Sequence, residues 1–297
     1  MSYFIVADSA CDLPEERLAQ LNVGRCPLTA NFQDGTVLED SFREMDATAF
    51  FDGMRSGVVS TTSQVNTAVF YDMFHKALQT HDHVLYIGFS SGLSGTYQGA
   101  ILARNTLEED DPGLAGRVIA IDTKSASLGV GLLVLEACRM RDQGASITEV
   151  AEHIENQKNH INQFFTVEDL VYLKRGGRIS AMKAAVGQLL NIKPILCVNP
   201  EGKLIPIGKA KGRKKSIQAL MDHFRENYDP AYGKDFAISH GDCLEEARQL
   251  ANLIKSEYDM NEPVIHPVGM VIGSHSGPGT LALFFPGKPR EDFNPAL

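Results

Sequence analysis

Residues 86–99 read YIGFSSGLSGTYQG. The stretch closes an apolar run, VLYIGF (84–89), and opens a helical pattern, GTYQGAILARNTL (95–107). Between them lies a loop of serine and glycine. Glycine allows backbone geometries that other residues resist, and serine hydroxyls serve turns and ligands alike. Strand, polar loop and helix make up the repeating unit of an α/β protein. The order recurs elsewhere. YFIVA (3–7) runs into DSACD (8–12), and RVIAI (117–121) runs through DTKSASLG (122–129) into a helical stretch at 127–144. The alternation predicts an α/β fold with a largely parallel sheet.

Working outward, a further strand is expected at 26–32 and a helix at 70–78. Asp12 reads as the N-cap of a helix that has Pro14 in its first turn and Leu18 and Leu21 inward. Gly144 reads as the close of the 127–144 helix. Ser146 stands three residues before Glu149, the spacing of a capping box. A boundary placed at this helix gives two α/β domains, 1–155 and 156–297. In the second, 163–180 reads as a strand, a short helix and the basic glycine turn KRGGR. KPILCVN (193–199) and KLIPIGKA (203–210) flank the turn PEG as a hairpin. Helices are expected at 216–228 and 244–258, with FAISHG (236–241) as strand and loop between them. PVGMVIGSHSGPGTLALFF (267–285) reads as two apolar runs around a glycine-rich loop.

The chain has 297 residues, enough for two domains; its 43% hydrophobic and 22% charged content is that of a soluble globular protein. No apolar run reaches a membrane-spanning length. The start, MSYFIVADSACDLP, lacks the basic region of a secretory signal. Five cysteines, with no CxxC pair, suit free thiols in a reducing compartment, and no His/Cys/carboxylate spacing suggests a metal. A cytoplasmic protein without stable membrane insertion is expected, and a monomer. The net charge of −9 is uneven. Between 174 and 215 eleven Lys and Arg face one acid, Glu201, a local +10 that leaves −19 for the rest. Such a segment is either a solvated face or the footprint of an anionic partner. The overall negative charge argues against nucleic acid.

Five loops are rich in Ser, Thr and Gly: DSACD, STTSQ (60–64), FSSGLSGT (89–96), DTKSASLG and GSHSGPGT (273–280). Ligands of open α/β sheets bind beyond the carboxyl ends of the strands, so these loops are expected to converge on a polar site without metal. A phosphate is weakly signalled, because neither the P-loop lysine nor GxGxxG occurs in 86–99. A serine nucleophile is a second option. Gly88 to Gly92 fits GxSxG, with Ser90 as nucleophile, His275 downstream, and Asp235 or Asp242 as the acid. The elbow requires its helix to start at the serine, however, and here the pattern starts after Gly92. The third option is a carboxylate clamp of hydroxyls, helix-start amides and one imidazole, with a buried hydrocarbon tail adding affinity.

DSACDLP, STTSQ, SSGLSGTYQ, DTKSASLG, DLVYLKRGGRIS, LLNIKPIL, GRKKSIQAL and IGSHSGPGTLALFF, in this order, resemble the DegV family of bacterial fatty-acid-binding proteins, also called FakB, over nearly the whole chain. The resemblance implies two α/β domains with one long-chain fatty acid, such as palmitate, stearate or oleate, in a cleft between them. It implies a carrier without a cofactor and not an enzyme. It places the carboxylate at Thr62, Ser94 and His275, with Thr61 and the backbone near Gly92 and Gly95 in support. Where the family has TSQPS this chain has Val65 and Asn66, which frees the backbone there but leaves the Thr62 hydroxyl. The resemblance also implies a partner kinase that phosphorylates the carboxylate for phospholipid synthesis. Arg213 and Arg175 are candidates to meet that partner or the phosphate, and Arg178, with Arg175 in KRGGR, is read as able to reach an anionic ligand or an acidic partner, or else as part of a structural salt bridge. Residues within 127–137 and 182–190 are expected to line the tail, and Phe164, Phe165, Phe284 and Phe285 to be core. The alternative is a serine esterase using Ser90 and His275.

Overall fold

A computed structural model describes residues 2–179 and 191–290; the expected tail-lining stretch 182–190 lies outside the described residues. In chain order the elements are β1 (Tyr3–Asp8), α1 (Glu15–Gln20), β2 (Val23–Cys26), β3 (Thr29–Phe32), β4 (Val37–Glu39), α2 (Ala47–Arg55), β5 (Ser60–Ser63), α3 (Thr67–Leu78), β6 (His83–Gly88), α4 (Thr96–Asp110), β7 (Val118–Asp122), α5 (Leu128–Asp142), α6 (Ile147–Gln157), β8 (Ile161–Thr166), α7 (Val171–Arg175), β9 (Ile192–Val198), β10 (Leu204–Lys211), α8 (Arg213–Asn227), β11 (Ala237–His240), α9 (Leu244–Glu257), β12 (Val264–Pro267), α10 (Met270–Ser276) and β13 (Leu281–Pro286).

The first sheet, in the order β2-β1-β6-β7, is parallel throughout. Ile5, Val6, Leu85 and Ile87 are fully buried within it. Such continuous apolar runs are what a sheet covered on both faces requires. The second sheet, β10-β9-β8-β13-β11-β12, corrects the expectation of a largely parallel architecture. Only β11 and β12 pair in parallel; every other pair is antiparallel. Its central strands are also covered on both faces, so an antiparallel strand such as LALFFP reads like a parallel one. Phe164, Ile195, Leu283 and Phe285 pack under α8 and α9. Phe165, Leu196, Ala282 and Phe284 alternate with them and face α5 and the first sheet. The first turns of α5 are buried all round, from Leu128 to Val134, because this helix lies between the sheets.

The third sheet, β4-β3-β5, is small and antiparallel. It carries two departures from the sequence reading. STTSQ begins as strand β5 rather than as a loop, and the expected strand 26–32 divides into β2 and β3. The apolar run before the glycine-rich loop GSHSGPGT is helix α10, which continues into that loop as far as Ser276. Asp12 does not cap α1, whose N-cap is Pro14. Asp12 instead takes a left-handed backbone (φ 51°) and aims its carboxylate at Ser127 and at the backbone N–H of Gly269. The capping box of Ser146 and Glu149 is present, and Gly144 follows α5 at φ 91°.

Candidate functional site

A cavity of about 220 Å³ runs between the second sheet and α10. Val271, Ile272, His275 and Ser276 line it at the spacing of one helical face, with Val268 just before the helix. Phe165, Ala282 and Phe284 face it from the sheet, and Leu28, Phe89 and Leu93 from the loops that follow β2 and β6. At the carboxyl end of α10 the wall becomes polar, with Thr62, Ser63, Gln64, Ser94, Gly95, His275 and Arg178.

His275 Nε2 lies 2.8 Å from Thr62 Oγ1. β5 presents Ser60 and Thr62 toward α10, where Ser60 Oγ meets Ser274 Oγ at 2.6 Å, while Thr61 is exposed. Thr61 is not among the residues that line the cavity, although Ser63, two positions on in β5, is. The imidazole is roofed by the KRGGR turn. A Cβ on Gly176 would come within 2.0 Å of His275 Nδ1, so the first glycine of that motif is the space the ring occupies. Burial, aided by the nearby Arg178 guanidinium, lowers the His275 pKa to about 4. The ring is therefore neutral at pH 7 and shares two protons with Thr62, its own and the hydroxyl's. One serves their mutual bond; when Nε2 donates it, the Thr62 O–H is free to point into the cavity. Ser94 Oγ accepts from Thr96 N at 3.2 Å, which shapes the start of α4, and reaches Thr96 Oγ1 at 2.9 Å.

Other expected residues lie elsewhere. Gly92 packs against the carbonyls of Glu201 and Gly202 and does not line the cavity. Ser90 is fully buried, and its Oγ donates to the Gly202 carbonyl at 2.8 Å. Its hydroxyl meets a hairpin turn and not an imidazole, while His275 is engaged with Thr62; the geometry of a serine esterase is not assembled. Arg213 opens α8 and pairs with Glu246 at 2.6 Å, its side chain 18% exposed, so it ties α8 to α9. Arg175 is exposed over the Tyr172 ring at 5.7 Å. Arg178, read from sequence with Arg175 as a residue that could reach an anionic ligand or partner, stands at the cavity mouth and donates through Nε to the Leu93 carbonyl at 3.3 Å. Gln64 and Gly176 carried no signal beyond their neighbours in motifs.

A second polar group reaches the cavity through Ser127 and Ser239, with Asp12 bonded to Ser127 behind them. Asp12 accepts from Ser127 Oγ at 2.5 Å and from Gly269 N at 3.0 Å, and Ser127 Oγ lies 2.9 Å from Ser239 Oγ. Burial, with the adjoining Asp40 carboxylate, raises the Asp12 pKa well above the usual range. Burial likewise raises Asp8 to about 6, against the bonds it accepts from Phe89 N and Tyr86 Oη. Among the described residues no group of three or more His, Cys, Asp and Glu could hold a metal ion, and no helix is long and apolar enough to cross a membrane.

Residues 2–288 match the family described as an uncharacterised protein of the DegV family. A DegV domain-containing protein of Clostridium perfringens is 40% identical over 289 residues, 97% of this chain and 99% of the relative. A solved DegV family protein from Thermus thermophilus, described for its fatty-acid binding, superposes with a TM-score of 0.86 at 34% identity, covering 97% of this chain and all of the other. The fatty acid kinase B3 protein of Streptococcus pneumoniae, solved loaded with linoleic acid, shares the fold, with a TM-score of 0.83, 24% identity and coverage of 97% and 100%.

Proposed function

This chain belongs to the DegV family, and on that premise we propose that it binds one long-chain fatty acid in the cavity along α10. The carboxylate lies at Thr62, Ser94 and His275, and the tail lies over Phe165, Ala282 and Phe284. The observation that supports this most is the pairing of His275 with Thr62 at the mouth of an apolar cavity. Neutral donors hold an anion there without a buried counter-charge. Hydrogen bonds to a charged group contribute about 1.5–3 kcal/mol each, and each buried methylene about 0.8 kcal/mol. On this reading the protein is a cytoplasmic, monomeric carrier without cofactor, divided near residue 155 into two units. It presents the carboxylate to a fatty-acid kinase that makes the acyl-phosphate for phospholipid synthesis. Exposed Arg178 at the cavity mouth and exposed Arg175, three residues before it, suit an acidic partner surface.

Mass spectrometry of gently purified protein after unfolding should release one long-chain fatty acid per chain. Finding none, together with no uptake of labelled oleate or palmitate, would sink the reading. Thr62→Ala and Ser94→Ala should each weaken fatty-acid binding by about 1–3 kcal/mol, roughly 5- to 150-fold. Equal affinities in parent and double variant would remove both residues from the site.

A further inference from the structure

We infer that the inner end of this cavity recognises oxygen, and that the preferred ligand is a long-chain fatty acid carrying a hydroxyl near the middle of its chain, paired with Ser239. The inference rests on the fatty-acid reading above. Phe165, Ala282 and Ser239 form one row across β8, β13 and β11, since Phe165 and Ser239 both register with Ala282. All three line the cavity. With strands about 4.8 Å apart, the small Ala282 leaves a trough between an aromatic ring and a serine hydroxyl. A cargo of hydrocarbon alone would leave that hydroxyl facing oil, which is unfavourable for a fully buried polar group.

Counting protons shows what Ser239 has to offer. Its hydrogen-bond partner is Ser127, which in turn meets Asp12. If Asp12 is ionised, Ser127 donates to it, and the Ser239 hydroxyl keeps its proton and its lone pairs for the cavity. If Asp12 holds a proton, it donates to Ser127, Ser127 donates to Ser239, and the Ser239 O–H is again left over. A ligand hydroxyl, both donor and acceptor, can meet the proton and a lone pair of Ser239; a ligand carbonyl meets only the proton. Gln163, the neighbouring polar group, is already bonded to Ala126 N and Ser125 Oγ.

The helix sets the position of that hydroxyl. Asp12 holds the N–H of Gly269 at the start of α10, and His275 stands six residues later. At 1.5 Å per residue the two ends are about 9 Å apart. A zigzag of 1.52 Å bonds at about 111° advances roughly 1.25 Å per carbon, so the helix spans about seven carbons, and Ser239, linked to Gly269 N through Ser127 and Asp12, meets the middle part of the chain.

Displacement of a fluorescent fatty acid by stearic acid, by a hydroxystearic acid substituted near mid-chain, and by an isomer substituted near the methyl end tests this. In the unaltered protein the mid-chain isomer should bind at least as tightly as stearate and more tightly than the methyl-end isomer. Ser239→Ala should lower the ratio of mid-chain-hydroxy to stearate affinity by about 3- to 10-fold. A ratio unmoved by the substitution, or a parent protein that rejects the mid-chain isomer, overturns the inference. The isomer comparison in the parent decides whether or not the variant folds. Displacement by none of the acids would instead bring down the fatty-acid reading beneath it.

Discussion

Gly277→Ala should cost this fold about 2–6 kcal/mol, enough to erase a large part of a typical domain's stability. The residue follows α10 at φ 81°, ψ 172°, a region that is essentially reserved for glycine. That conformation costs about 1–3 kcal/mol for any residue with a Cβ. The added methyl would also lie 2.3 Å from the Tyr172 ring, where overpacking adds about 1–3 kcal/mol. Gly277 cannot drift to relieve the clash. Its N–H bonds the Gly273 carbonyl at 2.8 Å, and its own carbonyl accepts from Thr280 Oγ1 at 2.7 Å. Urea unfolding of the variant reads the loss directly. Adding Tyr172→Ala should recover the steric part and leave the backbone part. A single variant within about 0.5 kcal/mol of the parent would show that the turn relaxes freely and that α7 and α10 are not locked together as described.

The same region shows what the sequence could and could not tell. Strand-loop-helix units such as 84–107 are legible because period, turn residues and helix start agree with one another. The pairing direction of the second sheet was not, since LALFFP is apolar on both faces whichever way its neighbours run. GMVIGSHS looked like an apolar run and a loop, because its glycines mask a helical face that only the cavity reveals. Thr62, Ser94 and His275, distant in sequence, do line one cavity, whereas Thr61, their neighbour in the motif, is exposed outside it. Ser90 fitted a nucleophile motif by local spacing, but its partner is set by a hairpin more than a hundred residues on. Gly176 had no readable role, because the ring it accommodates belongs to residue 275.

His275→Gln should flatten two pH dependences at once. In the free protein the imidazole pKa lies at about 4 rather than 6.5, because burial penalises the charged ring. Between those values the unfolded chain binds a proton that the folded chain refuses, so stability falls as pH drops from 6.5 toward 4. That displacement is worth about 3 kcal/mol. His240, also lowered to about 4 by burial, contributes with the same sign. Asp8, raised to about 6 from 3.8, acts in the opposite sense, losing stability as pH rises through that window. The parent's slope is therefore a sum, and the difference between parent and His275→Gln in urea titrations at pH 4.5 and 7 isolates the one group. Ligand binding then reverses the cost. A carboxylate at Thr62 and His275 favours the imidazolium, and an opposite charge within about 4–6 Å raises such a pKa by about 1–3. Fatty-acid affinity should accordingly strengthen as pH falls from 7 to 5.5 in the parent, with proton uptake on binding, and stay level in the variant. A variant whose affinity follows the parent's pH profile would mean that the anion rests beyond the reach of His275. The head group would then belong to Arg178 at the mouth, where a permanent cation gives no such dependence.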